Sequence, residues 1–129
     1  MRLFLICCVL FLVNCQMAKL GKVEKHIIKP GQPTGRIIIK YNAQLYANKN
    51  LTIQSVSLSN YDNKINNFVI IDLNTGMLMQ SGQLLSKGAY FIEFKADFNE
   101  KFRTSEDTIT IRVKSGNKES AVSEVVSLQ

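Results

Sequence analysis

Residues 90–97 read Tyr90-Phe91-Ile92-Glu93-Phe94-Lys95-Ala96-Asp97, and this stretch decides the fold class. Tyr90, Ile92, Phe94 and Ala96 alternate with Glu93, Lys95 and Asp97, the two-residue period of a strand with one buried face and one wet face. Residues 108–114 repeat the pattern, with Ile109, Ile111 and Val113 on one side and Thr108, Thr110, Arg112 and Lys114 on the other. Working outward, Ile37, Ile39, Tyr41, Ala43 and Leu45 alternate with Lys40, Asn42 and Gln44. Leu51 to Leu58 is rich in β-branched and hydroxyl residues, and its apolar positions change phase between Ile53 and Val56, as a β-bulge requires. Phe68 to Leu73 is a short apolar run that closes at Asn74-Thr75-Gly76, where Gly76 supplies the positive φ of a tight turn. Met77 to Leu85 is expected to resume as a strand, with Met77 and Met79 filling core space. Ala121 to Leu128 carries a weaker pattern, that of an edge strand or a tail. No segment keeps a helical period, so the chain is predicted to be all-β: an antiparallel Greek-key β-sandwich of about seven strands.

Turn and loop signals divide these strands. They fall at Pro30-Gly31-Gln32-Pro33-Thr34-Gly35, Ala47-Asn48-Lys49-Asn50, the polar run 59–67, Ser86-Lys87-Gly88 and the charged run 98–107. Ahead of them, residues 1–15 read MRLFLICCVLFLVNC: one arginine, then an unbroken apolar run, then small or polar residues. That is the design of a signal peptide, with Val13 and Cys15 placed for cleavage before Gln16. The apolar run is about half of the roughly 20 residues a helix needs to cross a bilayer, so no transmembrane helix is expected. An alternative reading takes Leu12-Val13-Asn14-Cys15 as a bacterial lipobox, with Cys15 as the acylated N-terminus. Either way the domain works outside the cytoplasm. The expected organisation is a signal peptide over 1–15, a flexible basic arm over 16–29, the sandwich over 30–115, and an edge strand or tail over 116–129.

Composition limits the chemistry. In 129 residues there is one histidine, His26, no tryptophan, and three cysteines, all in the leader at Cys7, Cys8 and Cys15. Cysteine–histidine zinc sites and histidine-based triads are therefore outside its reach, and no enzyme is expected. The formal charge is +6, but the lysines are scattered among apolar and acidic neighbours. Nucleic-acid binding would want a basic stripe interleaved with exposed aromatics, so no nucleic-acid partner is expected.

Read in order, Pro33-Thr34-Gly35, the strand Ile38 to Ala43, Phe68 to Leu78 with its Asp72 and Thr75-Gly76 hairpin, Tyr90 to Asp97, and Thr108 to Val113 form one pattern. It resembles a cadherin repeat over residues 30–113. The resemblance implies a cadherin- or immunoglobulin-like sandwich in which Gly35, Phe68, Asp72, Thr75, Gly76, Tyr90, Ile92, Phe94 and Ala96 bear the fold. It also implies cell adhesion through non-covalent recognition of an extracellular protein, either a different molecule or a second copy of the chain. Most positions at which that family holds calcium differ here: Lys29 and Pro30, Leu45 and Ala47, Leu84 to Lys87, and Lys114 to Lys118. Asp97 alone is left as a ligand candidate, whereas calcium takes six to eight oxygens. Weak calcium binding or none is the expectation.

Three smaller readings complete the sequence. Asn50-Leu51-Thr52 is an N-glycosylation sequon beside a predicted strand start, with Asn50 as the acceptor. Asp62 and Asp72 suit turns better than an acid–base pair. His26 stands beside two isoleucines, with no constellation pointing to it. The runner-up function is a lipid-anchored bacterial envelope protein, immunoglobulin-like or carbohydrate-binding, tethered through Cys15.

Overall fold

The structure is a computed structural model that describes residues 16–29, 31, 37–59, 65–97 and 106–127. Among the described residues eight strands run in chain order: β1 (Ala18–Ile28), β2 (Ile38–Ala47), β3 (Thr52–Leu58), β4 (Phe68–Asp72), β5 (Leu78–Met79), β6 (Gly88–Asp97), β7 (Asp107–Ser115) and β8 (Lys118–Val126). They form two antiparallel sheets, one of five strands in the order β1-β2-β6-β4-β5 and one of three in the order β3-β7-β8. The predicted all-β sandwich is observed, with eight strands in place of about seven.

Alternation in the sequence becomes layering in space. Ile39, Tyr41, Ala43 and Leu45 of β2 lie opposite Ala96, Phe94, Ile92 and Tyr90 of β6. All eight are buried, as are Ile109, Ile111 and Val113 on the facing sheet. Burying each large apolar side chain contributes roughly 1.5–3 kcal/mol. The register of β3 against β7 shifts between Ile53 and Ser55, where the apolar phase changes. The β4–β5 hairpin turns on Gly76, at φ +72°, with Gly76 N donating to Asp72 O at 2.7 Å and Asn74 N to Asp72 Oδ1 at 2.8 Å. Asp72 is a turn former, and Met77 N reaches Thr75 Oγ1 at 3.3 Å.

Several expectations are corrected. Residues 18–28 are no flexible arm but the 11-residue strand β1, paired to β2 along its length. Val23 and Ile27 pack against the core, an apolar contribution that the surrounding lysines conceal. The strand expected over Met77 to Leu85 shrinks to Leu78–Met79, because a turn with Gln83 N on Gln80 O and Gly82 at φ +81° interrupts it. Met79 packs on the core, whereas Met77 is 64% exposed and fills nothing. Asp107, assigned to a charged loop, opens β7 and is fully buried. Residues 1–15 with Cys15, together with Pro30, Gly35, Asp62 and positions 98–105, lie outside the described residues.

Candidate functional site

Two features of the sandwich depart from a plain apolar interior and a plain polar exterior. The first is the outer face of the five-stranded sheet. Register places Gln44, Phe91, Ile71 and Leu78 in one row across β2, β6, β4 and β5. Beside that row run Tyr46 and Ala89, with Leu73 N bonded to Ala89 O. Tyr46, Leu73 and Leu78 are exposed, Leu78 at 70%, and Phe91 and Ile71 are half-buried. Val69, also exposed, continues the apolar strip next to Glu93.

Gly21 shapes one end of this strip. It lies in a bulge of β1, where the register shifts between Leu20 and Val23. A Cβ there would come within 2.6 Å of Tyr46 Cε2 and 3.3 Å of Gln44 Oε1. The missing side chain lets the Tyr46 ring lie across the edge strand, as aromatics do over strand glycines.

The rest of the same face is charged. Lys22 Nζ pairs with Glu24 Oε1 at 2.7 Å, His26 Nε2 lies 3.1 Å from Glu24 Oε2, and Lys40 Nζ lies 3.2 Å from Glu93 Oε1. Hydrogen bonding from Lys22 and then from His26 holds the Glu24 carboxyl below its ordinary value, and the same contact holds Lys22 above its own. Lys19 and Lys95 add exposed cations. Near Lys95 a shallow depression of about 400 Å³ opens between Asn67, Val69 and Glu93.

The second feature is inside. Lys25 of β1 and Asp107 of β7 are both fully buried, with Lys25 Nζ 2.6 Å from Asp107 Oδ2. Tyr41, opposite Lys25 in the register, donates its hydroxyl to the same oxygen at 2.7 Å. Its ring stacks on Phe94 with centroids 5.0 Å apart, and Lys25 Nζ sits 5.8 Å from the Tyr41 centroid. Burial, then the hydrogen bond to Asp107 and its negative charge, push the Tyr41 phenol well above its ordinary value. The phenol therefore stays protonated and acts as a donor. A buried ion pair of this kind ties the two sheets together without being, by itself, an efficient source of stability.

The residues singled out in the sequence fall elsewhere. Phe68, Tyr90, Ile92, Phe94 and Ala96 face the interior, and Tyr90 donates its hydroxyl to Ser86 O at 2.7 Å. Asp97 ends β6 opposite Ile38, and among the described residues no three His, Cys, Asp or Glu side chains converge to hold a metal. Asn50 is exposed between β2 and β3, with Ser115 Oγ bonded to its carbonyl at 2.7 Å. His26 serves Glu24 rather than a catalytic group. Sequence reading missed Lys25 and Asp107, although each sits in phase with apolar neighbours, Lys25 with Val23 and Ile27, and Asp107 with Ile109 and Ile111.

No protein-family model and no curated protein matches the chain. Among the described residues no helix is long and apolar enough to cross a membrane.

Proposed function

We propose that this chain is a secreted or surface-attached, single cadherin-like module that recognises another extracellular protein non-covalently, with weak or no calcium binding. The observation that carries this reading is the strip of Tyr46, Phe91, Ile71 and Leu78 on the outer face of the five-stranded sheet. A contiguous apolar patch bordered by polar residues marks an interaction surface. Among the described residues the opposite outer face has no such strip, since Ser55, Ser57, Thr110 and Arg112 occupy its centre. Lys22 and Lys40 are already paired with Glu24 and Glu93, so the exposed Lys19 and Lys95 give the border its net positive charge, and the fitting partner has an apolar centre and an acidic border. Two copies meeting face to face would oppose their lysines, which disfavours the homophilic form.

The test is an array of purified ectodomains probed with the folded chain and with Phe91→Ser/Leu78→Asp and Arg112→Ala variants. Affinity for the partner is expected to fall at least about tenfold, roughly 1.4 kcal/mol, in the first variant and to hold in the second. Binding that survives the first and is lost in the second overturns the sheet-face reading. Thermal melts in calcium and in chelator are expected to coincide. A shift of about 10 °C would instead restore calcium-dependent adhesion.

One observation favours the runner-up, a carbohydrate-binding or other envelope domain anchored through Cys15. An open polar groove of about 500 Å³ on the three-stranded side is lined by Thr52, Gln54, Ser55, Ser81 and Arg112. Hydroxyls and a guanidinium suit an acidic sugar. Intact mass of the mature N-terminus separates the two readings, because an acylated Cys15 and an exposed Gln16 differ in mass.

A further inference from the structure

We infer that Lys25 and Asp107 are a modification site of the protein upon itself, condensing into an intramolecular amide that covalently ties β1 to β7. The reacting groups are already in contact, with Nζ 2.6 Å from Oδ2 and neither side chain exposed. Groups held in this way react with effective concentrations of about 10⁵–10⁸ M when the geometry is productive.

Water normally opposes joining an ammonium to a carboxylate, because both ions are far better solvated than the neutral product. Here that solvation has been removed by burial, and an unsolvated charge is costly. A proton passing from Nζ to Oδ2 along the 2.6 Å contact gives the amine and the carboxylic acid that react. The amine lone pair then attacks Cγ and the N–C bond forms. Oδ2 takes the two protons that leave Nζ and departs as water, while Oδ1 remains as the amide oxygen. Atoms and charge balance with no oxidant, reductant or co-reactant.

Tyr41 supplies what the step needs beyond proximity. Its hydroxyl donates at 2.7 Å to Oδ2, the oxygen that leaves as water, and by drawing electron density from that oxygen it makes Cγ more open to attack and the water easier to lose. Stacking on Phe94 fixes its ring. The product would join residues 82 positions apart in sequence and on opposite sheets.

Intact-mass spectrometry of the isolated chain tests this directly, with a tryptic map to locate the bond. The expected result is a species lighter by one water, growing on incubation of folded protein and not of denatured protein. Its map contains a branched peptide joining Lys25 to Asp107, and its mobility in a denaturing gel is increased. Lys25→Met keeps its full sequence mass, and Tyr41→Phe condenses at least about tenfold more slowly, as loss of a hydroxyl aimed at the leaving oxygen implies. Asp107→Asn, releasing ammonia instead of water, converges on the wild-type product mass. Wild-type protein that is folded by circular dichroism yet keeps its linear mass overturns the proposal, even if the variants fail to fold. Loss of water without the branched peptide overturns it equally.

Discussion

Tyr41 and Tyr90 stand on neighbouring strands of one sheet, both buried, and each donates its hydroxyl at 2.7 Å. Their partners could hardly differ more. Tyr90 reaches back four residues to the main-chain carbonyl of Ser86, a neutral acceptor before its own strand. Tyr41 reaches across the sandwich to a carboxylate 66 residues away. The first phenol anchors a turn, and the second belongs to a polar cluster that links two sheets. One residue type in one interior thus serves a local or a global purpose according to what faces it.

The comparison breaks most readily at Asp107. Asp107→Ala removes the acceptor shared by Lys25 and Tyr41, and denaturant unfolding is expected to show a loss of about 3–5 kcal/mol, the penalty for removing one partner of a buried pair. No substitution at Ser86 should approach this.

Removing each hydroxyl in turn sharpens the contrast. In protein whose mass shows Lys25 and Asp107 uncondensed, Tyr41→Phe should lower stability by about 1.5–3 kcal/mol, the range for hydrogen bonds to charged groups. Tyr90→Phe, which loses a neutral bond, should lower it by about 0.5–1.5 kcal/mol. Equal losses would mean that the carboxylate gives Tyr41 no distinct role.

Alkaline titration gives a third, smaller effect. The Tyr41 phenol is raised in the folded state, so the unfolded chain releases this proton first as pH climbs. Its contribution is fully present below about pH 10 and declines above it, toward the folded value. Wild type is therefore expected to lose stability more steeply than Tyr41→Phe above about pH 10, as read by urea midpoints. Parallel profiles would contradict the raised value.

The smallest expected change is at Ser86→Ala, within about 0.5 kcal/mol by thermal melt. Tyr90 holds the backbone oxygen there, and its contact with Ser86 Oγ is long, at 3.4 Å. A larger loss would make Tyr90's anchor depend on a side chain after all.

Much of the architecture was legible because alternation over 90–97 and 108–114 has only one economical solution, a strand with its apolar side turned inward. Asp72 and Gly76 were legible as turn formers for the same local reason, since their roles are set within a few residues. β1 was misread because Lys19, Lys22, Glu24, Lys25 and His26 interrupt its apolar residues, yet pairing with β2 fixes its backbone whatever those side chains carry. Met77 was misread because an apolar residue in a hairpin is in the core only if the hairpin lies over it, and this one overhangs at the sheet edge. The apolar row on the outer face escaped notice because Phe91, Ile71 and Leu78 come from three strands, and only register aligns them.

By itself, then, the sequence determined an all-β chain, the inward faces of its strongest strands and the chemistry of its turns, all of which depend on residues within a strand or turn of one another. Tertiary structure alone decided that Lys25, Tyr41 and Asp107 meet and that an apolar strip lies beside a cationic border. The reason is physical: backbone geometry and side-chain period act over a few residues, whereas a contact between residues 82 apart exists only once two sheets have chosen how to pack.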